Sequence, residues 1–105
     1  VNQAWNLPST LKLLDALSDL GVEVLEQPLG RDMLRESCLA RYRSKIPIIA
    51  DESAIGVSGS LRAATSGCFD GINLKLAKLG GPYSALIVGS AVRSLGAMLM
   101  LGCMA

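Results

Sequence analysis

Three residues occupy equivalent points in the sequence. Glu26 follows the apolar run Val22-Glu23-Val24-Leu25, Asp51 follows Pro47-Ile48-Ile49-Ala50, and Lys75 follows Gly71-Ile72-Asn73-Leu74. They are 25 and 24 residues apart. In parallel α/β folds, ligands and catalytic groups gather at the carboxyl ends of strands. Any one of these charges could simply mark where a strand reaches solvent. Two carboxylates and an amine in register point instead at one shared site. Glu26 and Asp51 are hard oxygen ligands suited to Mg²⁺. An amine beside that cation, in a partly dry mouth, is expected to have a lowered pKa and to act as a general base. Metal and amine together suggest removal of a proton α to a carboxylate, with the metal stabilising the enediolate.

The elements that would position these residues are legible as a repeat. The runs start at residues 22, 47, 71 and 97, the last being Ala97-Met98-Leu99-Met100-Leu101. Short, continuously apolar runs suit strands buried on both faces of a parallel sheet. Between them lie helical patterns. Leu11, Leu14, Leu17 and Leu20 form a stripe, with Asn6 as cap, Pro8 in the first turn and Gly21 as stop. Met33, Leu34, Cys38, Leu39 and Tyr42 mark a second helix. Leu61, Ala64 and Thr65 mark a third, capped by Ser58 or Ser60 and stopped by Gly67. Ala85, Val88, Val92 and Leu95 mark a fourth, between Pro82 and Gly96. Equal steps and strands without edge character favour a barrel over an open sheet. The expected fold is α/β, a partial (β/α) barrel of about four consecutive units, against roughly 250 residues for a complete one. Lys78 and Gly80-Gly81 follow Lys75 directly; the glycines suit either an anion-binding backbone or a tight βα turn, and no Walker loop occurs.

Composition limits the function classes. The chain has 105 residues, 50% hydrophobic and 18% charged, with ten Lys+Arg against nine Asp+Glu. That is too apolar for disorder, and the absence of any like-charge block argues against nucleic acid and anionic membrane as partners. With no His, His-based triads and His metal sites are excluded within this chain. Cys38, Cys68 and Cys103 form no CxxC pair and fit neither a zinc site nor a secreted framework, so three buried thiols in a reducing cytoplasm are expected. The longest uncharged run, residues 79–92, is short of the ~20 needed to span a bilayer. No signal peptide is evident, and both ends read as cut.

These motifs carry a resemblance. Asn2-Gln3-Ala4-Trp5, Glu26-Gln27-Pro28-Leu29, Ala50-Asp51-Glu52-Ser53, residues 71–81 and Gly102-Cys103-Met104 resemble the enolase superfamily. Within its muconate-lactonizing branch, they look most like the dipeptide (L-Ala-D/L-Glu) epimerases. The resemblance covers essentially the whole chain. It implies that Glu26 and Asp51 are the second and third carboxylates of one Mg²⁺, and that Lys75 is the acid/base on one face of a small carboxylate substrate, a dipeptide. Asn2 would lie near the metal. Gln27, Glu52 and Lys78 would lie around the site or on its substrate side. The family's first metal aspartate, its second lysine base, its N-terminal capping domain, its early strands and its last strand are not in residues 1–105. The whole chain is therefore expected to be part of a single barrel domain, inactive by itself as an epimerase. Muconate cycloisomerase, o-succinylbenzoate synthase and N-acylamino acid racemase share the same framework.

Two other readings stand beside this one. One is a catalytically inactive half-barrel, whose open edges would drive self-association. The other is a small flavodoxin-like domain with an acidic pocket for Mg²⁺. Met98, Met100 and Met104 are expected in the core, Arg31, Arg35, Arg41 and Arg43 on a solvated helix face, and Trp5 under the barrel mouth or against the first helix.

Overall fold

The computed structural model describes residues 2–103. Strands and helices alternate: α1 (Leu7–Asp19), β1 (Leu25–Glu26), α2 (Leu34–Arg43), β2 (Ile48–Ala50), α3 (Gly56–Thr65), β3 (Gly71–Leu74), α4 (Leu76–Leu79), α5 (Pro82–Ser94) and β4 (Met98–Leu101). The sheet order is β1-β2-β3-β4, and every pair is parallel. A doubly wound sheet reverses its strand order at the ligand crevice. No such reversal occurs here, and right-handed crossovers then place the helices that connect the strands on the same side of the sheet. This is the winding of a barrel segment, and it sets aside the flavodoxin-like alternative.

Local chemistry explains most element ends. Asn6 caps α1 by accepting from the Ser9 amide at 2.9 Å, and Gly21 takes the left-handed conformation that follows the helix. The Gly80-Gly81 pair is a tight turn, but it joins α4 to α5 within the connection that follows β3. Gly80 is left-handed and closes the single turn of α4, an element the apolar pattern does not announce. Two of the expected element ends need correction. The first strand is not Val22–Leu25 but Leu25–Glu26, because Val22 and Val24 are only half-buried and have no strand partner in the ladder with β2. Neither Ser58 nor Ser60 caps α3. Both lie inside it, behind Ile55, and Ser60 bonds back to the Gly56 carbonyl at 2.7 Å.

The core joins Leu14 and Leu25 to Ile48, Phe69, Ile72, Val88 and Val92. Trp5 is half-buried against it. β2 and β3 are buried throughout, as continuous apolar runs predict. β4 departs from that expectation: Met98 is 44% and Leu101 77% exposed, because β4 pairs only with β3 among the described residues. Met98 is thus an edge residue rather than a core residue, and Met104 lies outside the described residues. Arg31, Arg35, Arg41 and Arg43 are all exposed, as expected, and Arg41 pairs with Asp70 at 3.1 Å. The cysteines also differ from expectation. Cys38 of α2 and Cys68, just before β3, are joined in a disulfide, and Cys103 is exposed. The sequence spacing of 30 says nothing against this pair, because one α–β–α unit returns the chain to its neighbour's flank. No helix among the described residues is long and apolar enough to cross a membrane.

Candidate active site

The carboxyl ends of three adjacent strands bring the register residues together. Glu26 ends β1, Asp51 follows β2, and Lys75 follows β3. Lys75 Nζ donates to Asp51 Oδ2 at 2.6 Å. Lys78, one turn later, donates to Asp51 Oδ1 at 2.7 Å and to the Asp51 carbonyl at 2.8 Å. Asp51 is 7% exposed, so these contacts operate partly shielded from water. A cleft of about 410 Å³ opens here, lined by Asn2, Glu26, Asp51, Glu52, Asn73 and Lys75 among others.

Gln27 fixes the loop that carries Asp51. Its Oε1 accepts from the amides of Asp51 at 2.9 Å and Ser53 at 3.1 Å. Its Nε2 donates to the Leu29 carbonyl at 2.8 Å and to Ser53 Oγ at 3.0 Å. The side chain is fully buried, and its backbone is left-handed at φ 36°. Asn2 lines the cleft, held in place by its neighbours: the amides of Gln3 and Trp5 bond to the carbonyls of Gln27 and Pro28 at 2.8 and 2.9 Å. Glu52 borders the cleft, with Oε2 enclosed and lacking a hydrogen-bond partner. The sequence reading missed Asn73 as a site residue. It is buried in β3, and its Nδ2 donates to Glu26 Oε1 at 2.5 Å. A polar residue inside a continuous apolar run was the available signal.

The lysines set the electrostatics. Burial pushes the Asp51 carboxyl up, but hydrogen bonds and charge from Lys75 and Lys78 outweigh it, leaving Asp51 below the usual carboxylate range. The hydrogen bond to Asp51 raises the Lys75 ammonium above its ordinary value against partial desolvation, helped by the charges of Asp51, Glu26 and Glu52. The expected lowering is for Lys75 beside a bound cation; against the Asp51 carboxylate the shift runs upward.

The family described as enolase C-terminal domain-like matches residues 1–105. The chain belongs to this family. It is 36% identical over 104 residues to the hydrophobic dipeptide epimerase of Enterococcus faecalis, covering 99% of this chain and 29% of that protein. It is 33% identical to muconate cycloisomerase 1 of Pseudomonas putida, covering 99% of this chain and 28% of that protein. The solved muconate cycloisomerase of Pseudomonas fluorescens superposes with a TM-score of 0.93 at 32% identity, covering 98% of this chain and 28% of that one. This member of the enolase C-terminal domain-like family therefore spans under a third of the length of these relatives, which are isomerases by name. It corresponds to part of their barrel.

The donor set of this family member fits a hard cation. Glu26 and Asp51 sit at the carboxyl ends of adjacent parallel strands and line one cleft. Asp51 already gathers two ammonium groups, which shows how strongly the position draws positive charge. Among the described residues no group of three or more His, Cys, Asp or Glu assembles. Two carboxylates still suffice for Mg²⁺, which commonly keeps waters and substrate oxygens as its other ligands.

Proposed function

We propose that this chain is the metal- and base-bearing part of an isomerase that moves a proton at the carbon α to a carboxylate, with a dipeptide as substrate. The observation that carries the reading is the convergence of Glu26, Asp51 and Lys75 on one cleft. Its similarity to dipeptide epimerases supports the substrate class.

Glu26 and Asp51 would hold one Mg²⁺. When bound, that ion supplies positive charge to the substrate carboxylate. Lys75 Nζ would take the α proton from one face in one direction of the reaction and deliver a proton to that face in the reverse direction, with the opposite face served by the second base. In the present arrangement Lys75 holds its proton against Asp51, and the neutral amine requires that Asp51's charge be satisfied elsewhere. Lys78 keeps one Asp51 oxygen and its carbonyl fixed while Lys75 moves. Gln27 keeps the Asp51 loop from following it.

The remaining ligand and the second base would come from other strands of a single barrel domain, so turnover is a property of the whole protein. Calorimetry of Mg²⁺ with this chain and with Asp51→Asn tests the site directly. Binding that is lost in the variant supports it. Binding that is unchanged in the variant, or absent in both, counts against it.

A further inference from the structure

We propose that Asn73 is the positioning residue for Glu26, and that Gly102 is a glycine because Asn73 occupies the space a side chain would need. The proposal rests on the metal reading of Glu26 given above. Asn73 is 4% exposed in the middle of β3, where an amide is costly unless its polar atoms are used. One end is used at the site: Nδ2 donates to Glu26 Oε1 at 2.5 Å across 47 residues of sequence. A carboxylate can only accept, so the amide nitrogen must face Glu26. That choice turns Oδ1 the other way, where it is buried without a hydrogen-bond partner.

The steric side agrees. A Cβ at Gly102 would strike the Asn73 amide, 2.7 Å from Nδ2 and 2.9 Å from Cγ. Gly102 does not have a positive φ, so backbone conformation does not account for its glycine. Close approach does. The ends of β1, β3 and β4 thus meet at one amide. With Oε1 held by Asn73, the carboxylate of Glu26 keeps one orientation at the cleft. Partners behind a metal ligand commonly act this way, and their loss costs about 10- to 100-fold in metal affinity.

The test is calorimetric titration of Mg²⁺ into the wild type, Asn73→Ala, Asn73→Asp and Gly102→Ala, with thermal unfolding of each. Asn73→Ala is expected to weaken Mg²⁺ binding by about 10-fold or more. Gly102→Ala, which displaces the amide, is expected to weaken it similarly, and to add little in the Asn73→Ala background. Asn73→Asp replaces the donor with an acceptor at nearly unchanged volume, so it should move Mg²⁺ affinity away from wild type, whereas a role in packing alone would leave affinity unchanged. Wild-type affinity in folded Asn73→Ala or Gly102→Ala overturns this proposal alone. No Mg²⁺ binding by the wild type overturns the metal reading and this proposal with it.

Discussion

Lys78 Nζ lies 2.8 Å from the carbonyl oxygen of Asp51 and 2.7 Å from its Oδ1, so one ammonium grips both the main chain and the side chain of the same residue. Lys75 takes the other carboxylate oxygen. The two lysines are three residues apart, and the single turn of α4 places both over one carboxylate. Their division of labour follows. Lys78 is bound to the loop itself, while Lys75 touches only the side chain and can leave without releasing the backbone.

The first prediction concerns that grip. The Lys78 side chain is 9% exposed, so Lys78→Met leaves Asp51 buried with one cation instead of two. Removing one partner of a buried pair commonly costs about 3–5 kcal/mol. Because Lys75 remains, a loss of about 2 kcal/mol is expected from urea unfolding. A change within about 0.5 kcal/mol would mean that the contact behaves like a surface pair.

The same network sets a pH dependence. Asp51 is held below its ordinary range, so its contribution is complete above the unfolded value near 4 and is lost as the pH falls through the lower folded value. Lys75 is raised, so its contribution is complete below about pH 10 and is lost as the pH rises beyond. Stability should therefore fall off at both extremes. In Asp51→Asn both flanks should flatten, measured as the unfolding midpoint against pH. Unchanged flanks would show that other groups dominate.

Gln27 gives a third prediction. All its side-chain hydrogen bonds converge on the segments around residues 29 and 51–53. Gln27→Leu keeps the bulk but strands the amides of Asp51 and Ser53. Each buried unsatisfied group costs about 1–3 kcal/mol. A loss of about 2–4 kcal/mol is expected, with faster amide hydrogen exchange at residues 51–53. Gln27→Glu should also destabilise, since an acceptor would then face the Leu29 carbonyl. A Gln27→Leu variant as stable as wild type, with unchanged exchange, would remove Gln27 from this role.

How much of this was legible in the sequence depended on the range of the interaction. The spacing of Glu26, Asp51 and Lys75 follows from the repeat itself, and the parallel register steps each one two residues beyond the level of the last, which keeps all three on the same face of the sheet. Asn6 and Gly21 were readable because capping is local. The Ser60 error has the same origin: a serine near a helix start can cap or bond back, and only the placement of Ile55 decides. Gln27, Asn73 and the Cys38–Cys68 pair depend on partners 24 to 47 residues away, beyond what local pattern reports. The Lys75–Asp51 contact was not legible either, because the sequence names the charges near Lys75 but not which one touches it.

The last prediction concerns the seam between β3 and β4. Gly71 faces Met98 directly in the ladder, and a Cβ built on Gly71 would run into the Met98 backbone carbonyl group and its Cβ. Its φ is not positive, so the requirement is space, not conformation. Backbone cannot swing aside as a long side chain can, so Gly71→Ala must push β4 away at its first residue. The neighbouring bond from the Met98 amide to the Asp70 carbonyl, at 2.8 Å, would break with it. Asp70 also accepts from the Ile48 amide at 2.9 Å and from Arg41, so the disturbance reaches β2 and α2. Overpacking commonly costs about 1–3 kcal/mol, and a lost ladder bond adds about 1 kcal/mol. A loss of about 2–4 kcal/mol is expected in urea unfolding, with exchange at Met98 through Leu101 rising before that at β2. Stability within about 0.5 kcal/mol of wild type would show that β4 can shift without cost. The placement of Gly102 against Asn73, four residues further along the same edge, would then need to be re-examined.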